Sequence, residues 1–431
     1  MKVAVIGLGY VGVPVAAVLA SKGIRVVGID IDPRKVERVG AGATPLEGYE
    51  PGLAELIAEG AASGLLKATT DYDAMADADA VVVSVETPID DATHDPEYKA
   101  LRSALRSIAP RLHKGALVSI ESTVAPRTMT GLVRPILERG SGLRAGRDFH
   151  LVHSPERVTA GKLLRNLTTL DRVIGAEDAR ARRAARTLYS QISSGALHDA
   201  DWVSAEITKT AENAYRDVQI AFSNEVALIC EELGANAYRV RELVNTCPGR
   251  DMLIPGAGVG GHCIPKDPWL LVSPVIHQKP VLIPTAREVN DFMPTRMAQL
   301  VEEAMREVGR RIRNSQVAIL GFAFRENTED SRNSPAIPLI RELRRRGADV
   351  TIHDPFAKSL RGFTITRDLG AALRGADCLA LVTAHDDYRT LDLKKLRGWM
   401  RHRAIVDGRN VFDGSVIKRG FSYRAIGKGE F

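Results

Sequence analysis

At 431 residues the chain exceeds what a single hydrophobic core usually serves, so two or three domains are expected. Its 45% hydrophobic, 26% charged and 5% aromatic residues are those of an ordinary globular protein and exclude extended disorder. The 59 basic and 53 acidic residues are spread along the chain, leaving a net charge of +6 that suits an anionic substrate; the densest basic run, Arg344 to Arg346, reads as the solvated end of a helix rather than a nucleic-acid stripe.

The N-terminus enters a strand-like segment, Val3 to Ile6, without a basic leader or a long apolar stretch, so neither export nor membrane insertion is expected. Gly7, Gly9 and Gly12 follow in GxGxxG spacing, with Tyr10 and Val11 between them, and lead into a helical run from Val13 to Lys22. In this arrangement the first glycine makes the turn, the second lets backbone N–H groups meet a pyrophosphate, and the third lets helix pack on strand. The next strand, Arg25 to Ile29, ends at Asp30, a carboxylate suited to the ribose hydroxyls and repellent to a 2′-phosphate. NAD is therefore expected over NADP, although Arg34 nearby argues the other way. Strands at Ala80 to Val85 and Ala116 to Ile120 continue the alternation and end in the polar loops Glu86-Thr87-Pro88 and Glu121 to Pro126. Loops at the carboxyl ends of parallel strands are where such sheets bind ligands. Thr123 is thus either a contact at the nicotinamide end or the N-cap of the next helix.

From Trp202 to Leu233 a helical pattern places Val203, Ile207, Ala211, Val218, Phe222, Val226, Ile229 and Leu233 on one apolar stripe, expected to be the core face. Glu206, Lys209, Asn213, Asp217 and Asn224 form a second, polar face with Lys209 and Asn213 one turn apart, either a functional pair or a solvated surface. A helix this long between two α/β halves also suits a spine and a dimerisation element. Further on, Gly256 to Pro268 reads GAGVGGHCIPKDP, a glycine-rich loop that allows close approach to a ligand and carries Cys263, with Asp267 four positions later. Cys230, Cys247, Cys263 and Cys378 show neither a CxxC pair nor metal-like spacing, so no metal site is expected and a reducing cytoplasm is the natural home. A thiol beside a dinucleotide signature points to an oxidation that passes through a covalent enzyme-bound intermediate.

A helix is expected from Pro294 to Arg310, after which the strand Gln316 to Leu320 opens a second alternation. It runs through GFAFRENTEDSRNSP, a helix to Arg346, and strands at Asp349 to His353, Cys378 to Val382 and Ala404 to Val406. This half looks like a nucleotide-binding sheet without GxGxxG. Its first loop offers Arg325, Asn327 and Arg332, which either bind a diphosphate through planar guanidinium forks or make surface salt bridges.

The combination of GLGYVG, ESTVAPRT, SPERV (Ser154 to Val158), KTAENAYRDVQIAFSNE (Lys209 to Glu225), GVGGHCIPKDP and GFAFRENTEDSRNSP resembles the UDP-glucose/UDP-N-acetylmannosamine dehydrogenase family along essentially the whole chain. EST, SPERV, ENAYRDVQIA and GGHC resemble the members acting on N-acetylated sugars, since UDP-glucose members usually carry KST and GGSC. The resemblance implies an α/β protein with two Rossmann-like doubly wound parallel-sheet domains joined by a central long-helix domain. The expected divisions are an NAD-binding domain over residues 1–200, a helical dimerisation domain with the cysteine loop over 201–300, and a UDP-sugar domain over 301–431. It further implies a cytoplasmic homodimer or higher homo-oligomer whose partners are NAD and a UDP-sugar, not nucleic acid or membrane.

Matched by motif position, Cys263 is the nucleophile, Lys209, Asn213 and Asp267 are its companions, and Glu156 and Thr123 lie near the reacting carbon. Arg157, Gly260, His262, Arg325 and Asn327 fall with the substrate contacts, and Arg250 matches an arginine that reaches a neighbouring subunit's substrate. Arg332 matches an arginine linked to UDP-sugar binding and is counted with Tyr10, Val11, Asp30, Arg34 and Thr87 among the NAD contacts. Three positions depart from the family pattern: Glu86 replaces a small residue or proline, Arg127 a glycine, and Ala160 the second glutamate of the UDP-glucose type.

The implied reaction is an NAD-dependent four-electron oxidation at C6, of UDP-N-acetyl-D-mannosamine first, with UDP-N-acetyl-D-glucosamine and then UDP-glucose as alternatives. A non-catalytic nucleotide-sugar-binding protein is the reading from a different class. In the catalytic reading Lys209 or a water held by Asp267 accepts the alcohol proton, and Cys263 adds to the aldehyde and passes from thiohemiacetal to thioester. Lys209 and Asn213 donate to the developing oxyanion, and Glu156 and Asp267 are the carboxylates available to activate the hydrolytic water. His262 either contacts the N-acetyl group or supports the loop.

Overall fold

The computed structural model describes residues 1–431 except 47, 49, 160, 413–415, 417–419 and 430–431, so the expectation attached to Ala160 lies outside the described residues. The chain forms two compact units, Met1–Glu212 with Trp269–Lys279, and Asn213–Pro268 with Pro280–Phe431.

In the first unit, apolar strands with residues of opposite parity on opposite faces build one sheet. Its described strands are β1 (Lys2–Ile6), β2 (Arg25–Ile29), β3 (Leu66–Thr69), β4 (Ala80–Val83), β5 (Leu117–Ile120), β6 (His150–His153), β7 (Arg172–Gly175) and β8 (Leu197–Ala200), in the order β3-β2-β1-β4-β5-β6-β7-β8. All neighbours pair in parallel except β6 and β7, which touch antiparallel at His153 and Gly175. Val3 and Val5 enter one hydrophobic cluster while Ala4 and Ile6 enter the other, as a strand buried on both faces requires. Strand order reverses between β1 and β4, which makes the crevice at their carboxyl ends the ligand position of a doubly wound sheet.

The second unit repeats this logic with an all-parallel sheet of β9 (Gln316–Leu320), β10 (Asp349–His353), β11 (Ile365–Thr366), β12 (Cys378–Leu381), β13 (Ala404–Asp407) and β14 (Ser422–Ala425), ordered β11-β10-β9-β12-β13-β14. Val317 and Ile319 point to one cluster, Ala318 and Leu320 to the other. The expected α/β architecture with two Rossmann-like sheets and a central long helix is therefore present. No helix among the described residues is long and apolar enough to cross a membrane.

Two sequence expectations are corrected. The long helix runs Trp202–Glu232, but its expected core stripe is not the buried one: Ile207, Phe222, Ile229 and Leu233 are exposed, whereas Glu206, Lys209, Asp217 and Asn224 are buried beside Ala205, Ala214 and Ala221. Small residues let the helix approach its neighbours closely, and the buried polar groups are admissible because they find partners there. The helix expected from Pro294 to Arg310 starts at Leu282 and runs to Glu307 with Pro294 inside it. Proline in a helix interior forfeits a hydrogen bond. Here its ring fills space over Gly258, where a Cβ would come within 3.1 Å of Pro294 Cδ.

Candidate active site

Beyond β1 the glycines behave as their spacing demands. A Cβ on Gly12 would sit 1.9 Å from the Gly7 carbonyl oxygen, so only glycine permits the helix Gly12–Ser21 to start against the strand. At Gly9 a Cβ would meet nothing within 4 Å, which leaves the turn open for a ligand's pyrophosphate to approach the backbone. Asp30 follows β2 and is buried; its Oδ2 accepts from the Leu8 N–H at 2.7 Å and its Oδ1 from the Asp32 N–H at 2.9 Å, so the carboxylate is held against the glycine turn. Tyr10 and Val11 are half-buried on that turn. The residues fit a dinucleotide. The exposed guanidinium of Arg34 pairs with Asp32 at 2.9 Å, and Lys35 lies 3.4 Å from Asp30.

The loops after β4 and β5 are tied together by Thr87, whose hydroxyl donates to the Thr123 carbonyl at 2.6 Å. Beneath them is a pair that sequence reasoning missed: Glu121 accepts from Arg172 at 2.5 Å with both side chains buried, and the Arg172 guanidinium lies 4.3 Å from the Tyr189 ring centroid. The available signal was an arginine opening the apolar run Arg172–Gly175. The SPERV segment leaves the carboxyl end of β6, with the Ser154 N–H donating to the Ile120 carbonyl at 3.0 Å. Buried Glu156 lies 3.9 Å from the ammonium of buried Lys209, so the structure brings these two expected residues together. Arg157 is engaged by Glu212 and donates to the Asp171 carbonyl at 3.1 Å.

One turn before Lys209, Glu206 accepts from the N–H groups of Arg127 and Met129, each at 2.7 Å. Burial, partly offset by those donors, pushes the Glu206 carboxyl up to about 7. Its folded value lies above its unfolded one, so the folded chain retains a proton that the unfolded chain releases, and this group's stabilisation is lost as pH rises through about 7. Compared with Glu206→Gln, the wild-type chain is expected to lose about 3 kcal/mol of unfolding free energy between about pH 4.5 and pH 8. Urea melts across that range test this; parallel pH curves for the two proteins would refute it.

In the second unit the glycine loop is clamped from several sides. The Gly261 N–H donates to the Arg332 carbonyl at 2.8 Å, Asn333 Nδ2 donates to the Gly261 carbonyl at 3.0 Å, and a Cβ on Gly260 would come within 2.5 Å of Phe324. Cys263 is exposed, and its carbonyl accepts from Lys266 at 3.1 Å and Asp267 at 2.8 Å, forming the turn that presents the thiol. Asp267 is fully buried; Asn213 Nδ2 donates to its Oδ2 at 2.5 Å and the Lys266 ammonium lies 2.8 Å from its Oδ1. Three expected site residues are thereby drawn to one turn. Burial, helped by the positive charges of Lys266 and Arg332, pulls His262 down to about 4, so the ring is neutral at pH 7.

The loop also rests on a buried polar chain. Asn224 accepts from the Gly256 N–H at 2.9 Å and donates to Asn290 at 2.8 Å, and Asn290 donates to Asp217 at 2.7 Å. Arg287, itself buried, completes the chain at 2.5 Å from Asp217. Arg409, absent from the sequence expectations, packs under the loop and donates to the carbonyls of Val382 at 2.8 Å and Gly258 at 3.3 Å. Its position just past β13 in an α/β alternation was the signal available.

Of the remaining expected residues, Arg332 pairs with Asp330 at 2.5 Å, and the exposed Arg250 donates at 3.4 Å to the Pro248 carbonyl. Asn327 donates through its backbone to His385 at 2.9 Å and through its side chain to Asp386 at 2.8 Å, which fixes the stretch that also carries Arg325. Under it, burial alone would raise the Asp354 carboxyl, but His385 and the N–H groups of Ala357 and Ala323 hold it well below the usual carboxylate range.

The sequence patterns of the UDP-glucose/GDP-mannose dehydrogenase family match in three parts: the NAD binding domain at residues 1–193, the central domain at 203–292 and the UDP binding domain at 318–414. The chain belongs to this family. It is accordingly an NAD-dependent nucleotide-sugar dehydrogenase, and NAD is its cofactor. It is 36% identical over 431 residues, all of both chains, to the UDP-N-acetyl-D-mannosamine dehydrogenase of Pyrococcus horikoshii. The solved structure of a UDP-D-ManNAc dehydrogenase from that organism superposes with a TM-score of 0.93 at 35% identity, covering 99% of each chain. That of an NDP-N-acetyl-D-galactosaminuronic acid dehydrogenase from Methanosarcina mazei superposes with a TM-score of 0.89 at 37% identity, covering 99% of this chain and 95% of that one.

Proposed function

We propose that the chain oxidises UDP-N-acetyl-D-mannosamine at C6 to the uronate, with Cys263 as nucleophile. The observation that carries the mechanism is the turn on which the Cys263 carbonyl, the buried Asp267 and Asn213 are hydrogen-bonded together. The substrate assignment rests on the full-length relatives named for that sugar. The Gly7 to Gly12 turn and Asp30 would hold NAD, two molecules of which, bound in turn, would each accept one hydride. Lys209 takes the alcohol proton, directly or through water, as the C6 carbon gives up its first hydride. The Cys263 thiolate then adds to the aldehyde carbon, forming a C–S bond and a thiohemiacetal.

Lys209 and Asn213 donate to the oxygen of this adduct as it loses the second hydride and becomes a thioester. Removing either donor is expected to cost about 10²- to 10³-fold in rate. Water, activated by Glu156 or Asp267, cleaves the C–S bond to carboxylate and returns the thiol. Arg325, Asn327 and Arg332 are assigned to the UDP-sugar, as are Arg157, Gly260 and His262, and Arg250 to the substrate of a neighbouring copy. Tyr10, Val11, Asp30, Thr87 and Thr123 are assigned to NAD.

The reading includes a functional division near residues 200 and 300, supported by the three family matches. It also includes a homo-oligomer in a reducing cytoplasm. The exposed apolar side chains of Tyr215, Phe222 and Ile229 on the long helix, and of Leu233 just after it, support the first, and the four free cysteines the second.

The test is to incubate the purified protein with NAD and, separately, UDP-N-acetyl-D-mannosamine, UDP-N-acetyl-D-glucosamine, UDP-N-acetyl-D-galactosamine and UDP-glucose, and to count NADH per sugar consumed. Two NADH and a uronate, with UDP-N-acetyl-D-mannosamine turned over fastest, is the expected result. One NADH with a released aldehyde would remove the thioester path. Faster turnover of another sugar would reassign the substrate, and binding without turnover would favour the non-catalytic reading.

A further inference from the structure

A cavity of about 330 Å³ lies in the first unit, between the helices Lys99–Ile108 and Arg134–Ser141 and the loop that follows β5. None of its lining residues belongs to the glycine turn, and neither Asp30, Thr87 nor Thr123 reaches it. Three arginines line it, Arg102, Arg127 and Arg139, together with Tyr98, Thr128 and a single acid, Asp95. All three are exposed and none forms an ion pair among the described residues; Arg139 Nε donates to the Pro135 carbonyl at 3.0 Å. The lining thus sets three cations against one carboxylate, and the volume lies at the small end of the range for metabolite sites.

The backbone at Arg127 adds a second observation. Its φ of +70° lies in the left-handed region, which costs a residue with a Cβ about 1–2 kcal/mol. The strain is maintained because Glu206 grips the N–H groups on either side, at Arg127 and Met129. Tyr98 stiffens the same loop by accepting from the Ala125 N–H at 2.8 Å and bonding to the Thr128 hydroxyl at 3.0 Å. A fixed loop therefore carries an arginine, held at an energetic cost, on the wall shared with two others. Guanidinium forks on a pre-formed wall match the oxygen pairs of a phosphate group, and Asp95 offers an acceptor to a hydroxyl or ammonium on the same ligand.

We propose that this cavity binds a small phosphorylated metabolite, separately from NAD and the nucleotide sugar. The site is anchored to the catalytic helix through Glu206, which stands one turn before Lys209.

The test uses the full-length enzyme saturated with NAD and UDP, so that both established nucleotide sites are filled, and titrates inorganic pyrophosphate by calorimetry at constant ionic strength. A single saturable site per chain is expected, with affinity falling about tenfold or more when Arg102→Ala and Arg139→Ala are combined. UDP affinity measured on the same variant reports its folding, and Arg102→Lys with Arg139→Lys is expected to retain binding more weakly than wild type. No saturable heat in the presence of NAD and UDP would overturn the proposal. So would pyrophosphate binding that the double alanine variant leaves within about twofold of wild type.

Discussion

Cys263→Ala is expected to lower uronate formation by about 10⁴-fold or more while leaving UDP-sugar affinity within about twofold. The separation of the two effects follows from how the loop is built. The turn at Cys263 is made by its carbonyl, which accepts from the N–H groups of Lys266 and Asp267, main-chain groups that an alanine keeps. Gly260 and Gly261 are held by Phe324, Arg332 and Asn333, again through backbone and packing. An alanine can occupy position 263 without releasing the loop, so binding survives and only the covalent step is lost. The variant should then stop after one hydride transfer per bound sugar, with no C–S adduct in mass spectra of the quenched enzyme. A variant forming uronate within about tenfold of the wild-type rate would sink the nucleophile assignment.

Arg287→Ala is expected to destabilise the second unit by about 3–5 kcal/mol. Arg287 and Asp217 are each only 1% exposed in their side chains, and truncating the arginine leaves a buried carboxylate without its cation. Burial already outweighs the attraction of Arg287 and Asn290, pushing Asp217 up to about 6. Without the arginine its pKa rises further and the carboxyl takes up a proton more readily, so the deficit should be smaller near pH 5 than near pH 8. Urea unfolding at the two pH values measures this. A loss below about 1 kcal/mol at pH 8 would show that the pair is not a net support. Since Asn290 and Asn224 carry the chain on to Gly256, the same variant should also loosen the cysteine loop and lower kcat more than it raises KM.

The places where sequence reasoning succeeded share a local cause. The β2, β9 and β10 segments were read to the residue: β2 and β9 carry apolar runs that suit buried parallel strands, and the half-polar β10 follows from its place in the alternation after a helix. The glycine turn and Asp30 were legible because steric demand at Gly12 and the strand end at Ile29 are properties of short segments. The expected strands that include Val85 and Val382 overran their observed ends by a residue or two. Strands β3, β6, β7, β8, β11 and β14 were not anticipated; Leu197–Ala200, for one, is half polar, and Ile365–Thr366 is too short to carry a pattern.

Where the reading failed, the missing fact lay elsewhere in the chain. The periodicity of Trp202–Glu232 records which residues are apolar, but not which side of the helix neighbouring segments cover. Asp217 and Asn224 are buried because Arg287, Asn290 and the Gly256 N–H, more than thirty residues away, satisfy them. Glu206 is buried because the loop after β5 supplies two N–H donors. Pro294 looked like a helix start, whereas packing over Gly258 offsets the hydrogen bond it lacks.

The sequence by itself determined the α/β alternation, the glycine turn for NAD, the acid at its side and the cysteine with its aspartate, because each depends on neighbours within a few residues. Only the tertiary structure decided that the polar face of the long helix is the covered one, that Arg172 lies against Glu121, and that Arg102, Arg127 and Arg139 share a cavity. Burying a polar or charged group is costly until a distant segment supplies its partner, and which segment does so is settled by packing.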